Sequence, residues 1–392
     1  MLEQAIIARN DAVERARAKM LATHWAGSEA EIAQGLYWIE MLQAFAFNIY
    51  MAPRHHLPRF YSHSIFLPYE LSFGAPCADF HYRWAFLDGR RTYRIHGKCG
   101  TGRWMEFQAQ RGFWGDADQE RLANWDFDDF AVEADGSFEI IASPIPHDGN
   151  WMALDPSCHN ITLLGRDTLY DWDNDIPITL HIECLDAPDQ KVALSLAEID
   201  SRTRAIGFLT EFTVDFFLGM NGKIEAQGLN RFHQFGVGHA NKVGGNPRAQ
   251  YVHMLYDLAP DEALVIEADI PENCRYWSLM LHDPWWQTSE YAAHHCCLNG
   301  MQAKRDSDGK VRLVIAKVDP GVANWLDPVD NLRGLAQWRW YLADDAALPK
   351  VTKLKVEDVR SYLPADTVMM TDGERERVIA ARKLAIDRRF GF

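Results

Sequence analysis

The segment GVANWLDPVD, Gly321 to Asp330, echoes DGNWMALDPS, Asp148 to Ser157. Both write Asn-Trp and then Asp-Pro, and the surrounding landmarks recur in the same order. Asn150 and Asn324 lie 174 positions apart (324 − 150), Trp104 and Trp277 lie 173 apart (277 − 104), and Arg166 and Arg339 lie 173 apart (339 − 166). The turn pairs Asp135-Gly136 and Asp308-Gly309 keep the same shift, and Pro76 and Pro247 differ from it by two residues. A period of that length is domain-sized, so the chain reads as two copies of one module. Asn and Asp cap a turn, Trp fills a core and Pro ends a strand, so the echo marks a repeated corner of the fold.

Between these landmarks the texture is that of strands. TYRIHGK, RWMEFQAQ, SFEIIAS and ITLLGRDTLYDW correspond in order to LVIEADI, YWSLMLH, VRLVIAK and LAQWRWYLA. Alternating β-branched and aromatic residues, with Asp-Gly hairpin signals, predict two tandem, related antiparallel β-sandwich or jelly-roll-like modules. The first fifty residues carry apolar positions at helical spacing, with Ser28 an N-cap candidate, and a connecting helix is predicted near Ala197 to Phe217. The expected organisation is mainly β with α. A helical leader spans 1–52, a first β module 53–190, and a connecting helix and Gly-rich loop 191–243. A second β module spans 244–345, and a C-terminal tail with a short helix 346–392. The leader is expected to pack on the first module or to support a homo-oligomer.

Of the 392 residues, 47% are hydrophobic and 12% aromatic, enough for substantial cores, and the formal net charge of −15 disfavours nucleic acid and anionic membranes. No apolar run reaches membrane-spanning length, and the amphipathic start lacks a secretory pattern. Seven cysteines form no C-x-x-C pair, and Cys296-Cys297 are adjacent; reduced thiols in the cytoplasm are expected.

The segments LAPDEALVIE, RYWSLML, WW, LNGMQAKRDSDGKVRLVIAKVDPGVANWL and WRW, across residues 244–341, resemble the bacterial domain-of-unknown-function family 1214. YRIHGKCGTGRWMEF and GNWMALDP resemble it more weakly in the first module. The resemblance implies a β-rich fold and no activity. The chain departs from the family pattern in HDPWWQTSEYAAHHCCLNG and at His253 in YVHMLYDL, adding imidazole and thiol to the second module.

These departures frame the candidate site. Alternation along YWSLMLHD places Tyr276, Ser278, Met280 and His282 on one face, opposite Trp277, Leu279 and Leu281. His253 shares a face with Tyr251 and Leu255 on a preceding strand. If the strands align, His253 and His282 approach each other, with His294 or His295 on the following loop. Such imidazoles suit general acid–base catalysis, a divalent metal, or a structural role, and no HExxH or HxH spacing favours the metal. Arg166 and Arg339 sit among aromatic strand residues, where each needs a carboxylate, with Asp155 or Asp327 the candidates, or holds an anionic substrate group. His55, His56 and His63 lie in a Pro-bounded loop, and His81 lies in ADFHYRW. DWDNDIP, Asp171 to Asp175, reads as a polar turn rather than a calcium loop. FGVGHANKVGGNP lacks a dinucleotide fingerprint and reads as a connector.

The expectation is an enzyme acting on a moderately apolar small molecule without a dinucleotide cofactor, of lyase, hydratase, isomerase or hydrolase type. His253 or His282 would be acid or base and Arg339 would hold an anionic or carbonyl group. Tyr276, Trp285, Trp286, Tyr291, Trp338 and Arg166 are the expected substrate-binding residues. The alternative is a non-catalytic ligand- or carbohydrate-binding β-sandwich protein. No cofactor is predicted, with His253, His282, His294 and His295 the ligands should a divalent metal bind.

Overall fold

The computed structural model describes residues 2–51, 54–62, 73–188, 193–234, 245–343 and 346–390. Two helices, α1 (Leu2–Ala22) and α2 (Glu29–Met51), lead into nine strands. These are β1 (Tyr61–Ser62), β2 (Phe80–Leu87), β3 (Tyr93–Lys98), β4 (Trp104–Arg111), β5 (Glu120–Asp126), β6 (Ser137–Ser143), β7 (Trp151–Ala153), β8 (Ile161–Thr168) and β9 (Thr179–Cys184). A long helix, α3 (Leu196–Glu225), connects them to nine more. Those are β10 (His233–Gln234), β11 (Ala249–Asp257), β12 (Glu262–Ala268), β13 (Tyr276–His282), β14 (Cys297–Asn299), β15 (Val311–Ala316), β16 (Trp325–Leu326), β17 (Arg333–Tyr341) and β18 (Lys350–Lys355). The chain closes on α4 (Asp372–Phe390).

The repeat is visible in the topology. The first module forms sheets of order β1-β2-β8-β4-β5 and β7-β6-β3-β9, and the second forms β10-β11-β17-β13-β14 and β16-β15-β12-β18. Adding nine to each strand of the first pair gives the second. The pairing is antiparallel except for β6 with β7 and β15 with β16, which run parallel, in keeping with the mostly antiparallel modules expected. β10 and β18 complete the second pair of sheets, so that module extends beyond the predicted 244–345 on both sides, and the predicted tail contributes a strand.

The echo that opens the sequence is a repeated corner at atomic detail. Asn324 Nδ2 donates to the carbonyls of Lys304 and Arg312 while its Oδ1 accepts from Lys304 N. Asn150 does the same with Ala131 and Glu139. Trp151 and Trp325 each donate an indole N–H to a strand carbonyl, of Ser143 and Ala316 respectively. One landmark shifts by a residue: Glu106 faces Arg166 and Ser278 faces Arg339 in the ladders, so Trp104 corresponds to Tyr276 rather than Trp277. A one-residue slip moves a side chain to the other face of a sheet, which is why the register and not the residue type decides.

Each five-stranded sheet is buried on both faces, and this makes the site. Met105, Phe107 and Ala109 of β4 pack into the first module's sandwich core, whereas Glu106, Gln108 and Gln110 alternate with them and are also buried. Trp277, Leu279 and Leu281 of β13 pack in the second core. The opposite faces of the two sheets meet: Trp104 packs on Tyr341 with ring centroids 3.7 Å apart, and Tyr341 Oη donates to Asp126 across 3.2 Å.

The helices cover one end of this interface. Ser28 caps α2 as expected, accepting from Glu31 N. α3 is longer than predicted and starts with a capping box, Ser195 with Glu198, which satisfies two otherwise orphan backbone donors. Residues of α1, α2 and α3 share a core with Phe86 and Leu255, one from each five-stranded sheet. The leader therefore packs on α3 and on both modules, not on the first alone. Among the described residues no helix is long and apolar enough to cross a membrane.

Candidate functional site

A cavity of about 220 Å³ opens between the two five-stranded sheets. β2 and β8 supply Tyr82, Trp84 and Arg166, β11 and β17 supply Tyr251, His253, Gln337 and Arg339, and α3 closes the apolar end with Phe216, Phe217 and Met220. The pseudo-repeat thus turns two separately placed arginines toward one space. Tyr82 and Tyr251 face these arginines across the ladders, at equivalent register positions.

The arginines differ in how their charge is met. Arg166 donates through Nη1 to Glu106, directly opposite on β4, and Glu106 also accepts from Asn124 (3.0 Å) and from Asn246. The ladder position of Glu106 is occupied in the second module by Ser278. Arg339, 4% exposed, therefore has no acid opposite it. Its Nη2 donates to the Ala75 carbonyl, and its Nη1 has no hydrogen-bond partner among the described residues. Neither acid proposed from sequence serves: Asp155 pairs with Arg111 at 2.6 Å and Asp327 with His294 at 2.8 Å. A guanidinium cannot shed its charge when buried, so an unmatched one costs several kcal/mol unless something anionic meets it.

Along β17, Gln337 precedes Arg339 by two residues and shares its face. Gln337 lies opposite His253, and its Nε2 donates to His253 Nε2 across 2.8 Å. Gln337 Oε1 is left without a partner among the described residues. The His253 ring lies 5.2 Å from that of Trp286, whose φ of +65° is unusual for a non-glycine residue. Two supports hold this turn. Asn221 of α3 donates to Pro284 O at 2.9 Å and accepts from Trp286 Nε1 at 2.7 Å. Asp283 accepts from Trp285 N, Gln287 N and Gln287 Nε2. Burial pushes the Asp283 carboxyl up to about 7.

The other expected site residues divide sharply. Arg166, Arg339, His253 and Trp286 line the cavity; His282, Tyr276, Trp285, Tyr291 and Trp338 do not. His282 shares a sheet face with His253, but β17 runs between their strands instead of the two being neighbours. His282 is fully buried, neither ring nitrogen has a partner among the described residues, and burial, then Arg339 and His253, hold it well below its ordinary value. Tyr276 sits in a buried network, its hydroxyl donating to Asp79 and lying the same 2.6 Å from the Ser278 hydroxyl. Trp285 stacks on Trp38 and donates to Glu31 O, joining the leader to the second module. Trp338 stacks between Trp277 and Trp340 in the sandwich core, and Tyr291 packs on Trp172 beneath α4.

His294 is paired with Asp327, and His295 Nδ1 meets the Trp325 carbonyl at 2.5 Å, so neither joins His253. Among the described residues no three His, Cys, Asp or Glu gather as metal ligands. In the first module His55 meets Asn160 at 3.4 Å and His81 meets Arg83 at 3.0 Å, away from the cavity; His63 and most of FGVGHANKVGGNP lie outside the described residues. Asp171 and Asp175 cap the DWDNDIP turn, as expected for a polar loop.

Sequence reasoning passed over Gln337, Tyr82 and the α3 aromatics. Gln337 carried a usable signal, its place two residues before Arg339 in a strand; the α3 residues carried none, since nothing local says where a connecting helix docks.

Residues 256–344 match the family described as protein of unknown function (DUF1214). No curated protein matches the chain. A crystal structure of an uncharacterised protein from Burkholderia cenocepacia is 28% identical, with 91% of this chain and 98% of that chain covered and a TM-score of 0.85. A protein from Vibrio parahaemolyticus is 12% identical, over 82% of this chain and 98% of that one, with a TM-score of 0.50, a likeness of fold.

Proposed function

We propose that this protein is an enzyme that takes a small, moderately apolar molecule bearing one anionic or strongly polarised carbonyl group into the cavity between its two modules. One observation carries the reading: Arg339 is buried, has no carboxylate partner among the described residues, and lines an aromatic-walled space. Aromatic walls with a few convergent polar groups are the usual composition of small-molecule sites. In this reading Arg339 holds the charged group, Arg166 with Glu106 stiffens the opposite wall, and Phe217 and Trp286 cover the apolar body.

His253 is the acid–base residue, since it alone of the four second-module histidines singled out lines the cavity. Gln337, donating to Nε2, holds that nitrogen as an acceptor, which leaves the proton on Nδ1. Proton transfer by such a group supports lyase, hydratase, isomerase or hydrolase chemistry and requires no bound cofactor. The free state of all seven cysteines supports a reducing, cytoplasmic setting. The exposed Ile6 and Ile7 of α1 leave assembly through the N-terminal helices within the proposal.

The test is a panel of apolar carboxylates and their neutral amides, followed by NMR for both binding and conversion with wild type, Arg339→Met and His253→Gln. Carboxylate binding lost in Arg339→Met, and conversion lost with binding retained in His253→Gln, are expected. Binding without conversion in the wild type would leave the non-catalytic alternative, and equal binding of amides would remove the anionic reading.

A further inference from the structure

Two buried polar atoms of cavity-lining residues have no hydrogen-bond partner among the described residues: Arg339 Nη1, a donor, and Gln337 Oε1, an acceptor. Gln337 is 5% exposed and its amide N–H is committed to His253, so its oxygen has no solvent to fall back on. The other cavity-lining groups are better served. Gln110 donates to Gln108 and accepts from Gln119, Tyr82 Oη accepts from Cys77 N, and Tyr251 Oη accepts from Asn246 N. What the walls ask of an occupant is thus specific: an acceptor for Arg339 and a donor for Gln337.

The two residues are an i, i+2 pair on one face of β17, with Cα atoms about 7 Å apart. Both side chains are long enough for their ends to reach neighbouring atoms of one small molecule. We infer that the ligand is a hydroxycarboxylate, its carboxylate on Arg339 and a hydroxyl within two carbons of it donating to Gln337 Oε1. This rests on the anionic reading above and narrows it. An ammonium would also donate, but two guanidinium groups line the cavity and, among the described residues, only that of Arg166 is paired with a carboxylate, Glu106, so a cation on the ligand would be repelled. A hydroxyl donates without charge.

Leaving a buried acceptor unsatisfied is expensive, so the site should reject an analogue that lacks the hydroxyl. The experiment uses four isosteres with one aromatic body on the full-length protein: 3-phenyllactate, 3-phenylpropanoate, phenylalanine and phenylpyruvate, with 3-hydroxy-3-phenylpropanoate added for the second hydroxyl position. Titration calorimetry should show a hydroxy acid binding at least about tenfold tighter than phenylpropanoate, with phenylalanine weaker than either. Gln337→Met, matched in length, should bring hydroxy acid and phenylpropanoate to near parity while carboxylate binding persists. Should that variant fail to fold by circular dichroism, the wild-type comparison decides alone. Equal binding of hydroxy and deoxy acids overturns the hydroxyl inference and leaves the anionic reading standing. Tightest binding of phenylpyruvate overturns it too, since it would mean that Gln337 offers its amide N–H to the cavity. Failure of every carboxylate to bind overturns both.

Discussion

Replacing Arg166 and Arg339 separately by methionine should have opposite consequences, although the two occupy equivalent places in a repeated sheet. Arg166→Met strands the Glu106 carboxylate, which is 0% exposed and would keep, among the described residues, the Asn124 and Asn246 amides. Breaking a buried pair by removing one partner costs about 3–5 kcal/mol, because an uncompensated charge is left in low dielectric. Arg339→Met loses one charge-assisted bond, to Ala75 O, worth about 1.5–3 kcal/mol. It also removes a buried cation that no carboxylate among the described residues offsets, whose desolvation costs several kcal/mol, so the two terms cancel or leave a net gain. Denaturant and thermal midpoints at neutral pH read the difference. Arg166→Met should lower the thermal midpoint by roughly 4–6 degrees, while Arg339→Met should hold or raise it. Ligand affinity should follow the reverse order, with Arg339→Met the more damaging. Equal destabilisation by the two substitutions would show Arg339 to be a strut like its counterpart and would remove the ground for assigning it a ligand.

Two adjacent residues predict opposing pH limbs. His282 titrates below its ordinary 6.5 in the folded state, so the unfolded chain takes up the proton first and stability is lost as pH falls below about 6.5; His282→Leu should flatten that limb. An unchanged acid limb would place the titration elsewhere. Asp283 has the reverse sign. With its carboxyl raised from 3.8 to about 7, the folded state holds the proton more tightly, and stability declines as pH rises between those values; Asp283→Asn should abolish the decline, read by midpoints across the range. At the repeated corner, Asn324→Ala removes three hydrogen bonds from a site 6% exposed and should cost about 2–3 kcal/mol. Asn150→Ala, at its more exposed counterpart, should cost less; the opposite order in denaturation would contradict the assignment.

The repeat, the strand content, the leading helices and the shared face of Tyr276, Ser278, Met280 and His282 were legible from sequence, because they follow from local periodicity and from order along the chain. Arg166 and Arg339 could be singled out because a pattern repeated twice draws attention to what it preserves. Their difference could not be seen: it lies in Glu106 standing where the second module has Ser278, and that equivalence depends on a ladder register one residue away from the alignment that the tryptophans invite. Likewise His253 and His282 are indistinguishable as letters. β17 inserts between their strands, and only the sheet order leaves one lining a cavity and the other sealed behind it. Sequence periodicity fixes which face a side chain takes; what that face meets is decided by long-range pairing, and the cavity exists only where two separately encoded sheets and α3 come together.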